Sequence, residues 1–368
     1  MRLKFIDSLR GIAASAVVFY HVWNRCFPGA TSQSDVISMP HGVGTTIAMF
    51  LFGFGYLGVN LFFVVSGLCI HLPQAMKFHA AGSDNLSLKK FAKRRFWRLY
   101  PAYFASLIWT SLVLILFPLA IHLVRRNSFN ILITADFSSF LSNAFFLQQL
   151  NTRSLLFNGV YWTLVYEVQF YLFYPVLLWI CRKYGFVVPL IVLFGIEIAL
   201  AAKPVPIPLF FLGRYYEWFV GMYLAERIAS RRPIKIPVFA FPVLLGLSVA
   251  CVFHSFSWTY RDVLASTAFA ALLATCLKHE SSWTLLSQPK LVFVGIFSYS
   301  LYLIHIPTID LFWISIGVVH KYVPSVPQWI AFLSIPASYL LAYVFYLWFE
   351  KPFLRANKNG EAPSLGKR

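Results

Sequence analysis

The residues best placed to do chemistry are Arg10 and His21, eleven positions apart in an otherwise apolar run near the N-terminus. On a helix that spacing is about three turns, so both side chains share one face, about 16 Å apart along the axis. A charged side chain at the centre of a membrane span costs about 2.5–3.5 kcal/mol on insertion scales and therefore needs a reason. Two reasons fit. Arg10 at the cytoplasmic boundary could hold an anionic ligand while His21, near the midplane, meets its reactive end. Alternatively, Asp7, one turn before Arg10, pairs with it, and His21 is a polar linchpin between helices. An imidazole aligned with the arginine at that depth favours the first.

Glu167, in Trp162-Thr163-Leu164-Val165-Tyr166-Glu167, lies about 12 Å into its own apolar run. It is thus expected near the depth of His21, approached from the opposite side. A carboxylate beside an imidazole orients it and stabilises its protonated form, as a general base requires. Arg95 and Arg98 belong to Arg94-Arg95-Phe96-Trp97-Arg98-Leu99-Tyr100-Pro101. There the aromatic residues press two guanidinium forks, suited to phosphate oxygens, against the boundary. The lysines before them, Lys89 to Lys93, need only a topogenic explanation. Arg214 and Glu217, three apart, read as a self-paired structural unit. Ser66-Gly67 reads as a packing or helix-bending element, with Ser66 also a candidate to line the site. The chain contains no GxSxG, Walker A, GxGxxG or HExxH pattern, and Ser66 lacks the strand–turn–helix context of a nucleophile elbow.

The elements that must carry these residues are membrane helices. Of 368 residues 59% are hydrophobic and 12% charged, half the charge of a typical soluble domain, and mean hydropathy is +0.69. Apolar runs long enough for ~30 Å of hydrocarbon recur throughout. Ten spans are expected, at roughly 6–26, 44–71, 100–124, 159–180, 186–202, 208–226, 237–253, 259–277, 291–316 and 328–349, forming an all-α polytopic bundle. Pro28-Gly29, Pro204-Val205-Pro206, Pro324 and Pro327 mark loops, and Gly53, Gly55, Gly58 and Gly67 suit close helix approach in the second span. Segment 136–150 reads as a surface-lying amphipathic helix. Residues 1–356 are expected to form one membrane-embedded domain and 357–368 a short disordered tail.

Net charge is +18. A nucleic-acid partner would need a solvated basic face on a soluble domain, for which there is no room, so the excess is topogenic. With ten spans and both termini cytoplasmic, 22 of the 31 Lys and Arg fall inside and six outside, as the positive-inside rule requires. The N-terminal run carries Asp7 and Arg10 with no small-x-small cleavage site, and is read as a retained helix rather than a signal peptide. The five cysteines (Cys26, Cys69, Cys181, Cys251 and Cys276) are odd in number and unclustered, so neither a disulfide framework nor a metal site is indicated.

Taken together, these residues resemble the acyltransferase-3 family of membrane-bound acyltransferases that decorate glycans. Asp7-Ser8-Leu9-Arg10-Gly11 with His21 is similar to its opening motif. Phe62-Phe63-Val64-Val65-Ser66-Gly67 resembles its second-helix motif, and Arg94 to Pro101 its arginine motif. Trp162 to Glu167 with Phe170, Tyr171 and Pro175 is similar to its central glutamate segment. Ser298-Tyr299-Ser300-Leu301-Tyr302-Leu303-Ile304-His305-Ile306-Pro307 and Glu350-Lys351-Pro352-Phe353 resemble its last two signatures. The motifs arrive in order over nearly the whole chain.

The resemblance implies ten membrane helices, a cytosolic acyl-CoA donor and acceptors at the far face, with His21 catalytic and Arg10 its partner in donor binding. Longer family members add a soluble extracytoplasmic domain, so this chain is expected to act alone or with a separate extracytoplasmic transferase. The expected reaction moves an acetyl or other short acyl group from acyl-CoA to a hydroxyl of a cell-surface or secreted glycan or glycolipid, in a bacterial cytoplasmic membrane. Arg10, Arg95, Arg98 and Ser66 would bind the donor, and His21 would act as base or acyl carrier with Glu167 orienting it. Tyr302 and His305, on one face of the ninth span, would line the acceptor path; a structural role fits His305 equally. No metal is expected. The competing reading is a transporter or flippase of glycan-lipid precursors, which also uses midplane charges, although no matching pair of broken spans is evident.

Overall fold

The computed structural model describes residues 4–26, 53–82, 86–125, 137–150, 158–202, 213–232, 234, 236–253, 258–278, 284–322 and 328–356. Among these residues every regular element is helical. In chain order they are α1 (Lys4–Cys26), α2 (Leu57–Ala81), α3 (Leu88–Arg125), α4 (Phe137–Ala144), α5 (Trp162–Tyr184), α6 (Val187–Ala202) and α7 (Tyr215–Ala229). There follow α8 (Ala240–Phe253), α9 (Trp258–Lys278), α10 (Pro289–Ile296), α11 (Ser298–Tyr322), α12 (Ser334–Phe345) and α13 (Lys351–Ala356). A π-helical turn, Tyr346–Glu350, joins α12 to α13.

Each of the ten expected spans has helix within it, but they are not equal. Helices α1, α2, α3, α5 and α9 are each long and apolar enough to cross a membrane, and α6 and α8 are shorter apolar helices. The count of ten and the cytoplasmic termini rest on the sequence. Residues 44–52 and 208–212 of the expected spans, the four proline-marked loops and the tail from Asn357 lie outside the described residues.

The ninth span, expected as one helix over 291–316, is instead two helices, α10 and α11, bent by 70°. At the break Phe297 leaves helical geometry (φ −111°) and its N–H reaches back to Val294. Ser298 Oγ donates to the Gly295 carbonyl at 3.0 Å. The bend lets α10 lie against α1, where a Cβ on Gly295 would collide with the Asp7 backbone.

The outside of the bundle carries many large apolar side chains. Phe104, Ile108, Leu112 and Ile115 form an exposed stripe on α3, and Leu172, Phe173, Val176 and Trp179 one on α5. Apolar stripes this large on several helices are lipid-facing surface rather than soluble surface. The short helix α4 turns Phe137 and Leu141 outward and Ser139 and Asn143 inward. Its Asn143 carbonyl accepts a hydrogen bond from the buried Tyr103 hydroxyl at 2.8 Å.

Glycine seams and two ionic clusters hold the helices that matter for the site. A Cβ on Gly67 would strike the Trp218 carbonyl, and one on Gly221 the Val64 carbonyl, so α2 and α7 are in backbone contact. Gly55, in the turn before α2, and Gly58 within it bring this segment against the α1 backbone at Ala16 and Ala13. At one end Glu226 accepts hydrogen bonds from His71 (2.9 Å), His79 (2.7 Å) and Arg182 (2.9 Å), tying α2, α5 and α7. The expected Arg214–Glu217 pair forms at 2.7 Å, and Arg214 also pairs with Asp262 of α9. Arg214 adopts φ +77°, with Glu197 accepting its N–H at 3.1 Å and that of Tyr216 at 3.3 Å.

Candidate active site

Helices α1, α2, α3, α5 and α11 surround a cavity of about 140 Å³, room for roughly ten waters. At one end Arg10 of α1 meets Arg95 and Arg98 of α3; three residues apart, the α3 pair shares a helical face. Arg95 lies 5.4 Å over the Phe91 ring and 5.5 Å from that of Tyr171. Its Nε is buried with no hydrogen-bond partner. Among the described residues none of the three arginines makes an ion pair with a carboxylate. A fixed counter-charge stands behind them: Glu350, 2% exposed, acts electrostatically on both Arg10 and Arg98. Ser300 Oγ donates to it at 2.7 Å. Glu350 ends the π-helical turn, a distortion that re-aims side chains and recurs at functional sites.

The middle of the cavity is organised by Glu167. Thr163, Glu167 and Tyr171 recur every four residues on α5 and all face the cavity. Glu167 Oε1 accepts hydrogen bonds from Ser66 Oγ at 2.7 Å and from the Tyr171 hydroxyl at 2.5 Å. Trp218 Nε1 donates to Ser66 Oγ at 3.3 Å, so α2, α5 and α7 converge on this carboxylate. The expected His21–Glu167 pairing is not made: Glu167 forms no hydrogen bond with His21 and is committed to Ser66 and Tyr171 instead.

At the far end the Tyr302 hydroxyl lies 2.9 Å from Thr163 Oγ1 and 3.2 Å from the Val160 carbonyl. Its ring is 5.7 Å from Phe62, in the cavity wall, and 5.8 Å from His305. Tyr302 therefore separates the cavity from a histidine pair, because the His305 and His21 rings are 5.2 Å apart. His305 is fully buried and His21 half-buried; neither lines the cavity. Beyond them an Arg25–Asp310 ion pair joins the next turn of α1 to that of α11.

Residues 3–347 match one family, described as an acyltransferase domain. The chain belongs to the acyltransferase-3 family. It is 28% identical over 338 residues to a Bacillus subtilis protein provisionally named peptidoglycan O-acetyltransferase YrhL, covering 81% of this chain and 50% of that one. It is 26% identical over 382 residues to the O-acetyltransferase OatA of Staphylococcus aureus, covering 95% of this chain and 57% of that one. The chain thus spans about half the length of the curated relatives it matches. No solved structure matches it significantly.

Five of the six motifs that carry the family resemblance line the same cavity: those holding Arg10, Ser66, Arg95 with Arg98, Glu167, and Tyr302. The sixth supplies Glu350, behind the arginines. Several residues at the cavity are given no site role by the sequence. Thr163 and Tyr171 were recoverable from their four-residue spacing about Glu167. Glu350 stands in the closing motif, Glu350-Lys351-Pro352-Phe353, which by itself gives it no role. Trp218 and Cys69 carried no local signal, since only the packing of α7 on α2 and the closeness of α2 to α1 bring them in.

Proposed function

We propose that this chain transfers an acetyl or other short acyl group from cytosolic acyl-CoA to a hydroxyl of a glycan on the far side of a bacterial cytoplasmic membrane. The observation that carries this reading is the set of three arginines from α1 and α3 around one cavity, none in an ion pair among the described residues and one with an orphaned Nε. One buried carboxylate, Glu350, offsets only part of the charge of three arginines, and arginine forks match the phosphate oxygens of an anion that would complete the cluster. A CoA thioester offers phosphates at one end and an acyl group at the other. With its phosphates on Arg10, Arg95 and Arg98, its acyl arm would run past Ser66 and Glu167 towards Tyr302. In the orientation that the positive-inside rule favours, the arginine end faces the cytosol. Peptidoglycan, the acceptor in the name of the Bacillus relative, is the acceptor class favoured here.

In the reaction His21 takes the proton of the acceptor hydroxyl as its oxygen attacks the thioester carbonyl. The new C–O bond forms, the C–S bond breaks, and the departing thiolate recovers the proton from His21. Glu167, held by Ser66 and Tyr171, keeps the cavity wall polar along the donor path. Tyr302 must swing aside to admit the acyl group to His21.

The test uses purified protein in nanodiscs with radiolabelled acetyl-CoA and a peptidoglycan-derived acceptor. His21→Ala should abolish label transfer while CoA binding persists. Full transfer by that variant would overturn the role of His21. Binding of CoA by the wild type without any thioester turnover would favour a transport role.

A further inference from the structure

We propose that His305 is the positioning residue for His21, accepting a hydrogen bond from one His21 nitrogen so that the other faces the acceptor hydroxyl as a free base. The proposal rests on His21 being the base. Its starting point is the tautomer of His305. Nδ1 lies 2.8 Å from the Tyr302 carbonyl and 3.1 Å from that of Leu301. Both are acceptors only, so Nδ1 carries the proton. In the neutral ring Nε2 then has a bare lone pair. That Nε2 is buried and has no hydrogen-bond partner among the described residues, in a side chain that is 0% exposed. A buried acceptor left unsatisfied costs about 1–3 kcal/mol and calls for a donor.

His21 is the donor within reach. The ring centroids are 5.2 Å apart and the ring planes 41° from each other, so a turn of His21 alone about its χ2 bond points one of its nitrogens at His305 Nε2, towards the roughly 3 Å of a hydrogen bond. Helices α1 and α11 pack together here, and the Arg25–Asp310 pair one turn further on fixes their register. His305 is in turn locked by its own backbone. This is the arrangement in which a base is oriented by a group on its second nitrogen. When His21 takes the acceptor proton, its other N–H stays bonded to His305 Nε2 and the charge on the imidazolium is stabilised. No proton moves to His305, and the one on His21 returns to the CoA thiolate.

Two amide variants separate this role from simple helix bracing. In His305→Gln the amide oxygen can occupy the position of Nε2. In His305→Asn the amide can replace only the Nδ1 donor to the backbone. A positioning role predicts that His305→Asn lowers kcat for acyl transfer about 10²-fold or more, with the KM for acetyl-CoA unchanged, and that His305→Gln recovers most of the loss. The opposite order, with the Asn variant near wild type and the Gln variant inactive, would overturn it, as would a loss confined to the KM for acetyl-CoA. Equilibrium CoA binding by both variants confirms a folded bundle. His21→Ala is assayed alongside: full activity there defeats the base reading itself, whereas an inactive His21→Ala with an unimpaired His305→Asn defeats only the positioning role.

Discussion

Replacing Arg98 with alanine should weaken acyl-CoA binding roughly 10- to 150-fold, and the structure sets that range. Arg98 is half-buried and shares the end of the cavity with Arg10 and Arg95. A hydrogen bond to a charged group contributes about 1.5–3 kcal/mol, and about 1.4 kcal/mol corresponds to tenfold in Kd. The loss should not exceed this range, because Arg10 and Arg95 remain and Arg10 still balances Glu350. Arg98→Lys keeps the charge but not the fork, and should fall between wild type and alanine. The assay is equilibrium binding in nanodiscs of CoA and of a pantetheine thioester that lacks phosphates. CoA should discriminate strongly between wild type and Arg98→Ala, and the truncated thioester hardly at all. Equal losses for both ligands, or none for CoA, would refute the assignment of this arginine end to the donor phosphates.

Ser66→Ala and Tyr171→Phe each remove one of the two donors to Glu167 Oε1, so their effects on kcat/KM should be coupled by more than about 0.5 kcal/mol in a double-mutant cycle. Strict additivity would mean that Glu167 does not hold both bonds in the working enzyme. Gly221→Val places side-chain atoms against the Val64 carbonyl and should cost about 1–3 kcal/mol by overpacking; a lowered melting temperature in detergent checks this, and an unchanged one would contradict the α2–α7 seam.

Much of the bundle was legible in the sequence because the signals involved are local. Hydropathy located the helices, and a 3.6-residue period placed Arg10 and His21 on one face of α1, and Tyr302 and His305 on one face of α11. The costly charges converge in the fold, since Arg10, Arg95, Arg98 and Glu167 all line one cavity. The same reasoning also placed Glu167 at nearly the depth of His21, and depth proved insufficient. Two side chains at one level of a bundle can point to different neighbours.

That azimuth is decided by tertiary packing. The chain by itself determined that helices cross a membrane, which residues are too polar to lie there without purpose, and which of them share a helical face. Only the fold decided that Glu167 answers to Ser66 and Tyr171, that the His21 ring lies beside that of His305, and that arginines from α1 and α3 line one cavity. It also decided the 70° break at Phe297. The reason is physical: how each helix is rotated against its neighbours is set by backbone contacts at Gly55, Gly58, Gly67, Gly221 and Gly295. Those contacts join segments far apart in the chain, so no window of local sequence contains them.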